Sequence, residues 1–160
     1  MKIVEFPDPI LLKKCSPVTV FGPELEILLE SMWETMVSAP GRGLAANQVS
    51  LDLHAFVMQT ANKEKIFVVN PEIISRSMWS ANLKEGCLSA PKEVFVLKER
   101  SDWVKLAFQD HKGRKHVRIF TGIDSVCAQH EFDHIEGRSF LQSPSIPENK
   151  RKAIKKKWGI

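Results

Sequence analysis

The chain of 160 residues holds three cysteines, an odd number, with no CxxC pair among them. That usage speaks against a disulfide framework and for a reducing compartment. No apolar run approaches the roughly 20 residues needed to cross a bilayer, so a membrane span is not expected. Internal repeats are lacking, and no Pro- or Gly-rich linker divides the chain. The domain pattern starts within the first few residues and leaves no space for a signal or transit peptide, so the expected location is cytoplasmic. The 43% hydrophobic content is ordinary for a globular protein, and the length suits one domain with a real core.

What is present is concentrated in His130-Glu131-Phe132-Asp133-His134. Two histidines four residues apart project from one helix face, so both imidazoles can reach one ion. Glu131 stands close enough to take a proton from water at that ion. A catalytic metal centre of this kind needs a third protein ligand and an open position. A histidine six residues after the second, the pattern of one protease class, would fall on Phe140. A glutamate from a following helix is no better served. Glu136 is too close to the site helix, and Glu148 sits in a Pro-flanked basic stretch. Upstream, Glu85-Gly86-Cys87-Leu88-Ser89 offers a thiolate, a good ligand for zinc and ferrous iron, beside a glycine that allows close backbone approach.

Two other cysteines compete with Cys87. Cys15, after a Pro-Asp-Pro turn, reads as a core or surface thiol. Cys127 shares the face of His130 and His134. It reads as a pocket wall, because a free Cys packs as a small hydrophobe and a ligand from another segment closes a tetrahedral site with less strain.

Three motifs in order resemble those of the peptide deformylase family: Gly41-Arg42-Gly43-Leu44-Ala45-Ala46-Asn47-Gln48, Glu85-Gly86-Cys87-Leu88-Ser89 and Gln129-His130-Glu131-Phe132-Asp133-His134. The resemblance extends from Phe6-Pro7-Asp8-Pro9-Ile10-Leu11 to about Leu141. It implies that Cys87, His130 and His134 hold one divalent metal ion, Fe(II) ahead of Zn(II), Ni(II) or Co(II). Glu131 would be the base, and the substrate an N-formyl-methionyl nascent peptide. The side-chain amide of Gln48 and the backbone N–H of Leu88 would meet the oxygen on which charge develops. The family's fold has sheets wrapped around the metal helix.

The residues themselves add a substrate path. Gly43 and Gly86 allow close approach, and a peptide could add to the first motif as an extra strand. Ile123, Val126 and Cys127, one to two turns before His130, suit a pocket for the methionine side chain and would serve equally as plain core. Arg42 stands where the family usually has an aliphatic residue, beside the substrate path. Ser50, Lys84 and Lys92 are further departures, and none removes a catalytic atom. Around the ligands, Glu85 and Asp133 are candidates to orient a histidine. Arg100 can pair with either acid, and an Arg100–Asp133 ion pair would anchor the site helix to the strand before it.

The expected fold is α+β, with short antiparallel sheets around a central metal-binding helix. Leu25, Leu28, Leu29, Met32 and Met36 predict an N-terminal helix from Pro23 to about Ala39. Strands are expected at Ala55–Gln59, Ile66–Asn70, Val94–Leu97, Trp103–Phe108 and Lys115–Phe120. Val104, Leu106 and Phe108 supply the alternating face of the fourth, and Asp110-His111-Lys112-Gly113 a hairpin turn. The site helix should run from about Gly122 to Glu136, with Thr121 capping its start and Gly137 its end. His54, His111 and His116 read as surface or strand residues.

Charge is unevenly spread. Of 23 basic and 19 acidic side chains, six and one fall within residues 147–160. The rest of the chain, 17 against 18, is near neutral. The expected organisation is therefore a catalytic domain over residues 1–146 and a basic C-terminal tail or helix over 147–160. A basic arm binds polyanions in a salt-dependent way. Related bacterial deformylases dock such a helix on the ribosome, which makes the ribosome a candidate partner. A monomer is expected. Two other readings stand beside deformylation: a metal amidase or peptidase with altered acyl preference, for which Arg42 is the hint, and a non-catalytic ribosome-associated binder.

Overall fold

The computed structural model describes residues 1–160. It contains three α-helices, α1 (Pro23–Ser38), α2 (Gly122–Ile135) and α3 (Glu148–Trp158). The strands are β1 (Gly43–Ala45), β2 (Ala55–Gln59), β3 (Lys65–Arg76), β4 (Lys84–Cys87), β5 (Ala90–Val96), β6 (Trp103–Gln109) and β7 (Lys115–Thr121). The fold is α+β, as expected. Five strands form an antiparallel sheet in the order β1-β2-β3-β6-β7, and β4 and β5 form a separate hairpin.

Alternation explains why the main sheet lies between two helices. In β2, Phe56 and Met58 join one core cluster with Val104, Leu106, Phe108, Phe120, Ala128 and Ile135, which includes the inner face of α2. Ala55 and Val57 point the other way, to Leu25, Leu29, Met32 and Met36 of α1. β3 repeats the pattern, with Ile66 and Val68 on the α2 side and Phe67 and Val69 on the α1 side. Successive side chains of a strand face opposite ways, so a sheet with both faces covered reads as a continuous apolar run. A third cluster closes the far end. Ile154 and Trp158 of α3 pack there with Phe6, Leu11, Ala90, Leu97, Phe140, Leu141 and Ile146.

Several expectations are corrected. β3 runs on to Arg76 through register shifts after Val69 and Ile73, although Asn70-Pro71 reads as a strand breaker. The strand expected at Val94–Leu97 begins at Ala90 and pairs with β4 rather than joining the main sheet. β1 and β4 were absent from the expected set because Gly43-Leu44-Ala45 and Lys84-Glu85-Gly86-Cys87 carry no period-2 alternation. Thr121 occupies the N-cap position of α2, but its side chain makes no capping hydrogen bond. Gly137 does end that helix, at φ +73°, and a Cβ there would lie 2.8 Å from backbone atoms of Lys13 and Lys14. Only glycine meets both conditions. His54 is buried, not a surface residue, and bonds Glu136 at 2.8 Å.

Candidate active site

The site is assembled by α2 and the β4–β5 hairpin. Ser125 to Glu131 of α2 are all buried, so this helix is enclosed on nearly every side. His130 and His134, one turn apart, aim their Nε2 atoms at a common point 3.2 Å from each other. Cys87 ends β4, pairs with Ala90 across the two-residue turn Leu88–Ser89, and brings its Sγ to 3.1 Å from His134 Nε2. The donor atoms of Cys87, His130 and His134 all lie within 4.8 Å of one another.

These donors fit a divalent ion. A tetrahedral ion with ordinary Zn–N bonds holds two imidazole nitrogens about 3.3 Å apart, close to the separation seen. His134 Nε2 faces a second imidazole nitrogen and a sulfur at once, and a single proton cannot serve both. Burial, with His130 and Arg100 nearby, holds His134 well below the ordinary imidazole range, which keeps its lone pair available. His130 is pulled upward against the cost of burial by its contacts with Cys87 and Glu85. An incoming cation would release such a proton.

Surrounding groups fix the ligands. Glu85 accepts from His130 Nδ1 at 2.8 Å, which leaves Nε2 directed at the donor cluster. Arg100 grips Glu85 through Nε and Nη2, both at 2.8 Å, and donates its Nη1 to Asp133. The Arg100–Asp133 pair therefore exists, but Arg100 lies in the turn between β5 and β6 rather than on a strand. The Asp133 side chain makes no hydrogen bond to His130 or His134 and instead accepts from Arg100 and Arg138, leaving Glu85 as the acid on His130. Gln129, quoted in the motif without a role, exchanges hydrogen bonds with the backbone of Ser101 and ties α2 to the same turn.

Above the donors opens a cavity of about 410 Å³. It gathers Arg42, Gly43, Gln48, Glu85, Gly86, Cys87, Leu88, Ile123, Val126, Cys127, His130 and Glu131, which three separate stretches of sequence supply. Arg100 and Asp133 lie outside it, along another depression. Lys84, Pro91, Lys92, Glu93 and Val94 also line the cavity. They escaped sequence reasoning as lining residues because the course of β5 was not legible. Glu131 is buried, and burial raises its carboxyl to about 7 despite His130 and Arg100. Its Oε2 is enclosed without a hydrogen-bond partner. A Cβ on Gly43 would lie 2.5 Å from Glu131 Oε1, so only a glycine lets β1 pass this close. Gln48 is held in one orientation. The Ala45 N–H donates to Oε1 at 2.9 Å, which turns Nε2 toward Ser89 Oγ at 3.0 Å and Cys87 Sγ at 3.6 Å. Asn47 braces the helix by donating to the His134 carbonyl at 2.6 Å.

An ion site beside a buried base and an oriented amide donor can add water to an acyl carbon, and with this fold it defines a metal-dependent hydrolase. The family model for polypeptide deformylase matches residues 1–151, and the chain belongs to that family. The peptide deformylase of Thermotoga petrophila is 40% identical over 98% of this chain and 93% of its own length. That of Afipia carboxidovorans is 39% identical over 98% and 92%. Among solved structures, the Thermus thermophilus peptide deformylase superposes with a TM-score of 0.87 at 34% identity, covering 97% of this chain and 90% of that one. Arabidopsis thaliana peptide deformylase 1B gives 0.90 at 30% identity, covering 99% and 88%. The protein removes the N-formyl group from newly made peptides and uses a divalent metal. The altered-acyl and non-catalytic readings are not favoured.

Proposed function

We propose that Cys87, His130 and His134 hold the metal of the deformylation reaction, that Glu131 moves its protons, and that Gln48 and Leu88 stabilise the charge that develops. The observation that carries this is the meeting of three donors from two segments, two of which, Cys87 and His130, line the same cavity as Glu131 with its unpartnered Oε2. The bound ion supplies Lewis acidity, which polarises an acyl oxygen and acidifies water. Glu131 takes a proton from the attacking water, whose oxygen bonds the formyl carbon. The C–N bond breaks, Glu131 returns the proton to the leaving amine, and the acid product departs as formate, its remaining proton ending on the free amine as the ammonium. Gln48 Nε2 donates to the former carbonyl oxygen, and the Leu88 N–H at the hairpin turn is the second donor. Val126, Cys127 and Ile123 wall the methionine side chain. Gly43 and Gly86 admit the peptide backbone alongside β1, an edge strand of the sheet.

The family resemblance favours Fe(II) in the cell, and the same Cys-His-His donor set suits Zn(II), Ni(II) and Co(II). The enzyme works as a cytoplasmic monomer, and the basic face of α3 docks on the phosphate-rich surface of the ribosome, where formylated chains emerge.

The test is turnover of a formyl-methionyl peptide by anaerobically purified protein, wild type beside Glu131→Gln. Loss of about 10²- to 10⁴-fold is expected on removing a general base, with metal content unchanged. Equal turnover by the two would remove Glu131 from the mechanism. The activity of the wild type should fall as pH drops, because the carboxyl that burial raises to about 7 must be ionised to accept a proton.

A further inference from the structure

We propose that the mouth of this cleft selects formylated chains that carry a carboxylate side chain shortly after the formyl-methionine. The inference rests on the deformylase reading and concerns what that site prefers.

Three cations stand at the opening. Arg42 immediately precedes β1, Lys84 begins β4, and Lys92 lies in β5, so they converge on one cavity from three separate places in the fold. All three are exposed. Of the acids nearby, Glu131 is buried at the floor, and those at or below the rim are engaged elsewhere. Glu85 lies beneath, gripped by Arg100 and His130. Glu93, on the same rim, accepts from Lys157 Nζ at 2.8 Å and from Trp158 Nε1 at 3.1 Å, both on α3. Asp124 accepts from the Ala61 N–H at 2.8 Å and stands 3.4 Å from Arg42 Nη2. So long and half-exposed a pair holds Arg42 weakly. Lys84 and Lys92 are left without an acidic partner. A near-neutral body thus presents a positive rim at its one reactive opening, and a cleft with low-dielectric walls concentrates such a field.

The direction of the substrate decides where that rim acts. The reacting formyl group must reach Cys87, Glu131 and His130 at the floor, and the methionine side chain lies against Val126 and Cys127. The peptide then leaves through the mouth. At about 3.3 Å per extended residue, the second and third residues pass Arg42, Lys84 and Lys92. Arg42, next to Gly43 on the same cavity, puts a charge where the emerging chain passes.

The experiment uses C-terminally amidated formyl-Met-Ala-X-Ser peptides with X as Glu, Gln or Lys. Amidation removes the terminal carboxylate that would otherwise mimic the effect. At low ionic strength the order of kcat/KM should be Glu above Gln above Lys, and the ratio of Glu to Lys on the order of ten, as a few weak surface pairs allow. The ratio should shrink toward one at about 0.5 M salt, where screening is strong. Arg42→Glu leaves two cations against one anion at the rim and should shrink the ratio of Glu to Lys toward one. The Lys84→Glu/Lys92→Glu double variant, altered at exposed hairpin positions, leaves one cation against two anions and must reverse the order, whether or not Arg42→Glu folds. Equal kcat/KM for the three peptides at low salt would overturn the proposal, as would an order that the double variant leaves unchanged. No turnover of the Gln peptide by the wild type would overturn the deformylase reading itself, and the proposal with it.

Discussion

Helices α2 and α3 are both short and rich in ionisable residues, but they use charge in opposite ways. On α2 the titratable side chains of His130, Glu131 and His134 are buried. Their placement is set by residues far away in sequence, such as Glu85, Cys87 and Gly43. On α3 the lysines and arginine face water, and Ile154 and Trp158 are the buried positions. A charge kept in water needs only the right sign, because solvent and salt absorb errors in its position. A buried charge needs a partner at hydrogen-bond distance, because desolvation costs several kcal/mol per ion. The active site is therefore specified atom by atom, and the basic face of α3 only in aggregate.

The sharpest way to break this contrast is at Glu85. In the metal-loaded protein, Glu85→Gln should destabilise by about 3–5 kcal/mol, because it leaves Arg100 buried without its bidentate partner. Calorimetry should show a fall in Tm of roughly 10 °C. A shift under about 2 °C would mean that Asp133 alone satisfies Arg100. In the metal-free protein the same residue sets a pH window. Burial opposes ionisation of Glu85, but His130 and Arg100 outweigh it and hold the carboxyl down at about 2, against the usual 4.5. Its contribution is thus complete above about pH 4.5 and lost as pH falls toward 2. Glu85→Gln should flatten that part of the stability profile.

An intermediate effect is expected where α3 meets the body. Trp158→Ala removes a buried indole from the third core cluster and the donor to Glu93, and should cost about 3 kcal/mol in denaturant unfolding. An unchanged midpoint would show that α3 is not anchored by its apolar side. The smallest effect on the fold belongs to the exposed face. Lys155→Gln/Lys156→Gln should alter stability by less than about 0.5 kcal/mol. It should nevertheless weaken cosedimentation with ribosomes at low salt, since phosphate contacts release counterions. Undiminished cosedimentation would detach the basic face from that role.

How much was legible in the sequence follows the same division. The ligand histidines share a helix face by local period, and the structure places them on one face. The alternation of Val104, Leu106 and Phe108 gave β6 its buried side in advance. The choice between Glu85 and Asp133 as the acid on His130 was not legible. Both are acids near the motif, and only the turn that carries Arg100 decides which one reaches the ring. Lys84, Lys92 and Glu93 were likewise invisible as cleft residues, because β4 and β5 lack alternation and their pairing depends on a tight turn at Leu88–Ser89.

By itself, the sequence determined which atoms can bind and transfer protons, together with the local periods that form the helices and most of the main sheet. Those properties depend on residue type and near neighbours. Only the tertiary structure decided that Cys87 lies 3.1 Å from His134, that β1 passes close enough to Glu131 to require a glycine, and that Arg42, Lys84 and Lys92 line one opening. Contacts between residues 47 or 88 positions apart depend on how the whole chain packs, and no local pattern encodes a distance of that kind.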